Sequence, residues 1–305
     1  MKELYFSKLL TTKAKYYADW QKIKSILERF EIDYGLIEGT KDIWARDYMP
    51  VMDGKGKLVQ FTYEPSYLKD DLDRQTNPDE VLIDGKRPTN CGISSKLDGG
   101  NYVKKGKKVI ISERIFSENN ISSKKESESM VFDSEREKKL AKIFEPVFNS
   151  AQQKVIHDLE GFLELEVIIF PCYGPEEDFT GHSDGYVRFI SEGVVLISKL
   201  SEEYKPFAKK MEEVLERYNL DYKEMPCFKH YSKKHPDSAI GCYLNYLELP
   251  DLIIFPIFDI KPQLDNDAIK MIKTIFPRKH IEPIIINDIA NEGGLMNCIS
   301  WTKDA

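Results

Sequence analysis

Long apolar runs are missing from this 305-residue sequence. Even the strongest, around residues 252–258, falls far short of the roughly 20 residues a membrane-spanning helix needs, so no membrane partner is expected. Paired cysteines are missing too. The five (Cys91, Cys172, Cys227, Cys242, Cys298) are scattered, odd in number and never spaced as CxxC. That excludes a disulfide framework and a short zinc or redox motif, and it points to the reducing cytoplasm. Nor is there an excess of positive charge. Lys and Arg number 44 against 51 Asp and Glu, a net charge of −7, which argues against a nucleic-acid partner. The opening stretch MKELYFSKLLTTKAKYY has no long apolar core and no small-residue cleavage site, so no secretory signal is expected.

What is present suits a globular chain. Apolar residues make up 41%, enough for a real core and too many for global disorder. Apolar positions at helical spacing predict a helix over 12–30, helical signal from Ser134 interrupted at Pro146, and helices over 152–162, 204–218 and 266–276. Residues 34–37 form a short apolar segment, and alternating or wholly apolar runs predict strands at 57–63, 97–103, 109–112, 166–170, 186–190, 194–198, 242–247, 252–258 and 281–286. Residues 64–88 read as a long polar loop over a pocket or edge, and 124–129 as a solvated surface stretch. Strands and helices alternate, which predicts an α/β class. No linker or repeat divides the chain, so residues 1–305 are read as one domain.

Four segments place ionisable residues beside glycine at strand ends, where sites are common. They are Trp44-Ala45-Arg46-Asp47-Tyr48-Met49-Pro50, Leu97-Asp98-Gly99-Gly100-Asn101, Gly181-His182-Ser183-Asp184-Gly185, and Gly293-Gly294-Leu295-Met296-Asn297-Cys298. Each also has an ordinary structural reading. His182 and Asp184, two apart on an extended chain, would face the same side and could simply bond to each other. Cys298 could be an inert core thiol, Asp47 a cap or ion-pair residue, and Asp98 a turn residue. Together they supply a thiol, an imidazole and three carboxylates. That set suits a planar cationic substrate, because a guanidinium offers five donors in a fixed fork that carboxylates accept in pairs.

In this order, WARDYMP, LDGG, GHSDG and a Gly-Gly pair ahead of Cys298 resemble the agmatine deiminase and bacterial-type peptidylarginine deiminase family, within the guanidine-modifying superfamily. The resemblance runs from Trp44 to Cys298. It implies the pentein fold, a five-bladed α/β propeller with the active site in its central channel. It further implies Cys298 as nucleophile, His182 as general acid and base, and Asp47 and Asp184 as the carboxylates that grip the guanidinium. Asp98, where relatives usually carry Glu, and Trp44, Asn101 and Gly294 are implied as substrate-binding. Relatives usually carry a further Gly and a His ahead of the cysteine, where this chain has Leu295-Met296-Asn297. No cofactor or metal is implied. The implied partner is a small guanidino substrate or peptidyl arginine, which would tie the chain to polyamine biosynthesis in the first case, and a homo-oligomer is allowed for.

Two other functions stay open on the residues alone. His182, Asp184 and Asp47 with His230 and His235 could hold a divalent ion for a metal-dependent hydrolase, although no spacing matches a short zinc signature. The pocket could also bind a guanidine without turning it over. The acidic residues Asp70, Asp71 and Asp73 would suit an amine-bearing substrate such as agmatine, whereas Arg74 would suit a carboxylate-bearing one.

Overall fold

The computed structural model describes residues 4–122, 148–173, 178 and 180–303. The expected surface stretch 124–129 and the helical signal from Ser134 lie outside them. Among the described residues, sixteen strands fall into five sheets that share one plan. In each, an antiparallel pair is joined by a third strand parallel to the middle one. The first sheet pairs β1 (Leu4–Ser7) with the C-terminal β16 (Ser300–Thr302) and with β2 (Tyr34–Glu38). The others contain β3 (Val51–Met52), β4 (Leu58–Thr62) and β6 (Cys91–Lys96); β7 (Tyr102–Lys105), β8 (Lys108–Ser112) and β9 (Glu166–Phe170); β10 (Val187–Ser191), β11 (Val194–Ser198) and β12 (Asp221–Met225); and β13 (Leu247–Glu248), β14 (Leu252–Pro256) and β15 (His280–Ile284). A two-residue β5 (Leu82–Ile83) adds to the free edge of β2.

A parallel return needs a crossover. Helices Ala14–Arg29, Ser150–Leu163, Lys205–Arg217 and Pro262–Ile275 supply it in four of the sheets. Each buries one stripe, such as Tyr16, Trp20, Ile23, Ile26 and Leu27 on the first. Asn149 and Gln152 close a capping box that fixes where the second helix begins, satisfying backbone donors that a helix start leaves open. In the remaining sheet the crossing from β4 to β6 carries only the 3-10 turns Ser66–Leu68 and Pro78–Glu80 and β5. Among the described residues no helix is long and apolar enough to cross a membrane.

Several sequence expectations are corrected. The run 97–103 is not one strand: a 3-10 turn occupies Gly99–Asn101 and β7 starts at Tyr102. The glycine pair is needed there because a Cβ on Gly99 would collide with the Arg46 carbonyl and one on Gly100 with the His182 ring. The run 242–247 is mostly turn, and only Leu247 joins a ladder. Its buried Tyr243, Leu244 and Tyr246 made it look like a strand. The helix over 12–30 is two pieces, Leu9–Thr12 and Ala14–Arg29, separated by extended Lys13. Strands β1, β3, β6, β12 and β16 carry no usable alternation; β12 exposes four of its five residues.

Candidate active site

The connection entering the outer strand of each antiparallel pair points toward one place. These connections are the helical turn Ala45–Tyr48 before β3, Gly99–Asn101 before β7, Ser183–Gly185 before β10, residues 240–246 before β13, and 295–299 before β16. Hydrogen bonds link them into a closed circle. Gly100 N donates to Asp47 Oδ1 at 3.1 Å, and Ser183 N to Asn101 Oδ1 at 3.3 Å. Asn245 Nδ2 donates to Asp184 Oδ2 at 3.4 Å, Asn297 N to Asn245 Oδ1 at 3.0 Å, and Arg46 N to Cys298 O at 3.0 Å. The circle closes because β16 pairs with β1, returning the C-terminal segment to the N-terminal sheet.

Within the circle lies a cavity of about 700 Å³ whose wall includes Trp44, Asp47, His182, Asp184, Asn245, Gly294 and Cys298. Asn245 holds the thiol from two sides: its Nδ2 donates to Cys298 Sγ at 3.0 Å, and its Oδ1 accepts from Cys298 N at 3.2 Å. Cys298 Sγ is 3.7 Å from Asp184 Oδ2, which also accepts from Asn297 Nδ2 at 2.6 Å. On the other side, His182 Nε2 bonds Asp98 Oδ2 at 2.8 Å, and its Nδ1 faces Asp47 Oδ1 at 3.7 Å.

Burial and like charges leave these groups in an unusual balance. Burial, reinforced by Asp98 and Asp184, pushes the Asp47 carboxyl up to about 8, although His182 opposes this. Burial alone would strip the proton from His182, but Asp47 and the Asp98 hydrogen bond outweigh it and hold that proton to about 10. Burial drives the Cys298 thiol well above its ordinary range, with Asp184 and Asp47 adding to the rise and the Asn245 donor opposing it. Buried carboxylates crowded this way are stabilised by a further cation placed between them.

Asp47, His182, Asp184, Cys298, Trp44 and Gly294 are thus brought to one cavity from three distant stretches. Asp98 and Asn101, expected to bind substrate, stand behind the wall instead: one is engaged with His182 and the other with Ser183 N. Asn245, Asn297 and Tyr67, whose hydroxyl donates to Asp98 at 3.0 Å, were not singled out by the sequence reading. Asparagine and tyrosine carry no pattern that separates a site residue from any other buried polar one. No sequence pattern marks Asp42 either. It holds Trp44 N through Oδ1 at 2.9 Å, and burial pushes its carboxyl up to about 7. The metal site considered above is not assembled: among the described residues no group of three or more His, Cys, Asp or Glu side chains is placed to hold an ion.

A sequence model of the Porphyromonas-type peptidyl-arginine deiminase family matches residues 9–303. The chain belongs to that family. Family members, like the agmatine deiminases, are hydrolases that act on C–N bonds. No curated protein sequence matches this member of the family. Solved structures do. The agmatine deiminase of C. jejuni aligns with a TM-score of 0.68 at 16% identity, covering 100% of this chain and 93% of that one. The agmatine deiminase of Enterococcus faecalis gives 0.65 at 15%, covering 99% and 93%. DDAH from Pseudomonas aeruginosa gives 0.52 at 11%, covering 99% and 98%. The deiminase-family chain therefore has the mixed α/β fold of the agmatine deiminases and of the pentein superfamily, as expected from its motifs.

Proposed function

We propose that this family member hydrolyses a guanidino group to a ureido group and ammonia through a covalent bond to Cys298. The observation that carries this reading is the cavity in which Cys298 Sγ and the His182–Asp98 pair face the carboxylates of Asp47 and Asp184. A guanidinium entering between Asp47 and Asp184 supplies a further cation. It lowers the cost of ionising Asp47 and Cys298, so the substrate itself helps to generate the thiolate. Asp184 Oδ2 is already occupied by Asn297, which leaves Oδ1 to take a guanidinium N–H.

The thiolate forms a bond to the central guanidinium carbon. His182 passes its proton to one amino group, the C–N bond breaks, ammonia leaves, and a cationic thiouronium remains on Cys298. The now neutral His182 takes a proton from water as its oxygen bonds the same carbon. The C–S bond then breaks, returning the thiolate and releasing the ureido product, while the remaining proton leaves with ammonia as ammonium. Acid–base assistance of this kind is worth about 10² to 10⁴ in rate. The N-terminal domain of ArgZ, which shares this fold at a TM-score of 0.53, has been captured covalently bound to a reaction intermediate, which supports a covalent route here.

The cavity rim favours a substrate whose far end is an amine over one ending in a carboxylate. Asp71, Asp178, Asp237 and Glu292 line the cavity together with Arg74 and Lys229; Asp71 is paired with Arg74 at 3.6 Å and Glu292 with Lys15 at 2.6 Å, which leaves Asp178 and Asp237 against Lys229. Agmatine is therefore the first candidate and peptidyl arginine the second. The test is ammonia release from agmatine, free arginine, and internal and C-terminal peptidyl arginine. Cys298→Ala should fold normally and release none. Ammonia release by that variant at the wild-type rate would end the covalent reading.

A further inference from the structure

Tyr67 lies on the crossing between β4 and β6, the only one of the five without a helix among the described residues. That crossing is nevertheless tied down. Ser66 donates from N and Oγ to Glu118 at 3.1 and 2.6 Å, and Arg114 Nη2 donates to Ser66 Oγ at 3.2 Å. Gln75 Nε2 donates to Tyr63 O at 3.0 Å, and Lys41 N to Thr76 Oγ1 at 3.0 Å. These anchors place the Tyr67 ring edge-on to the His182 ring, with centroids 6.0 Å apart. The phenol then donates at 3.0 Å to Asp98 Oδ2, the same oxygen that holds His182 Nε2 at 2.8 Å.

We propose that Tyr67 is a positioning residue for His182, sharing the Asp98 oxygen and so limiting how tightly Asp98 holds the imidazole proton. The proposal rests on the deiminase reading of the site and deepens it. A carboxylate oxygen that accepts from two donors gives up part of its charge to each. Removing one donor leaves more for the other, which favours the imidazolium. The charged and titratable groups facing His182 are Asp98, Asp47 and Asp184. Those facing Tyr67 are Asp98, Asp47 and Tyr63, with the Arg114 guanidinium 6.0 Å above its ring and itself bonded to Glu118 at 3.1 Å. Burial holds the Tyr67 hydroxyl well above its ordinary range, so it remains a donor at working pH.

The test replaces only the hydroxyl, with Tyr67→Phe, and follows the His182 imidazole by ¹⁵N NMR from pH 6 to 11. The titration should move upward by about half a unit to one unit. The falling alkaline limb of the kcat profile, which follows loss of the imidazolium proton, should move with it, while KM changes less than kcat. A His182 titration that stays in place or moves down overturns the proposal, whatever the activity does. Because the NMR readout needs no turnover, failure of the ammonia screen would sink the function while leaving this test intact. If Tyr67→Phe does not fold, Ser66→Ala loosens the anchor and keeps the phenol. It should give a smaller upward shift, and no shift would count against the proposal.

Discussion

Replacing Asn245 by alanine removes four hydrogen bonds at once, one of them the 3.4 Å donation from Nδ2 to Asp184 Oδ2, and the structure separates their effects. Asn245 Oδ1 accepts from Asn297 N at 3.0 Å and from Cys298 N at 3.2 Å, while Nδ2 donates to Cys298 Sγ at 3.0 Å. All of these groups are buried. A buried donor left unpaired costs about 1–3 kcal/mol, so Asn245→Ala should lose roughly that much stability from the orphaned Cys298 N–H, while Asn297 N keeps the Asn245 backbone carbonyl at 3.2 Å. The lost Nδ2 donor acts on activity instead. It is one of the few groups that oppose the rise in the thiol's pKa, and removing a preorganised donor of this kind costs about 10² in turnover. Asn245→Asp keeps an acceptor for both N–H groups but exchanges the donor for a second carboxylate beside Asp184. It should therefore lose activity as fully as Asn245→Ala while keeping more of the stability. Thermal unfolding, iodoacetamide alkylation of Cys298 against pH, and ammonia release measure the three quantities. If Asn245→Ala is alkylated and turns over like the wild type, the assignment of Asn245 to the thiol is refuted.

Two further predictions follow from the same geometry. With the Asp47 carboxyl pushed up to about 8 and the His182 proton held to about 10, kcat/KM should rise as Asp47 ionises through about 8 and fall as His182 loses its proton near 10. The optimum is then alkaline, and a profile flat from pH 6 to 10 would contradict it. Gly294→Ala would set a Cβ 2.5 Å from Trp44 Cζ3 and 2.9 Å from Cys298 Cβ. Overpacking of this kind costs about 1–3 kcal/mol, so kcat/KM should fall about tenfold or more with the fold retained, as checked by circular dichroism and steady-state kinetics. Unchanged kinetics would show that Trp44 and Cys298 can shift apart freely.

Apolar patterning carried the helices and the buried strands because a buried face demands a period. The stripe of Tyr16, Ile23, Ile26 and Leu27, and the run Val167, Ile168, Ile169 and Phe170, are readable for that reason. The strand Asp221–Met225 pairs with β11 while exposing most of its side chains. Its backbone hydrogen bonds, not its residues, make it a strand. Run 242–247 failed in the opposite sense, since buried Tyr243, Leu244 and Tyr246 imitate a strand in a turn whose purpose is to present Asn245.

The chain's own order of residues determined which chemical groups are present: one thiol after a glycine pair, one imidazole two residues from a carboxylate, and acidic residues at strand ends. Only the folded molecule decided which of them meet. Pairing of β16 with β1 carries Cys298 back across almost the whole chain to the Asp47 turn. The hydrogen-bonded circle then sorts the carboxylates by what they face. Asp47 and Asp184 open onto the cavity, whereas Asp98 turns to His182 and Tyr67. Contacts between residues tens or hundreds of positions apart leave no local period, so spacing alone cannot report them.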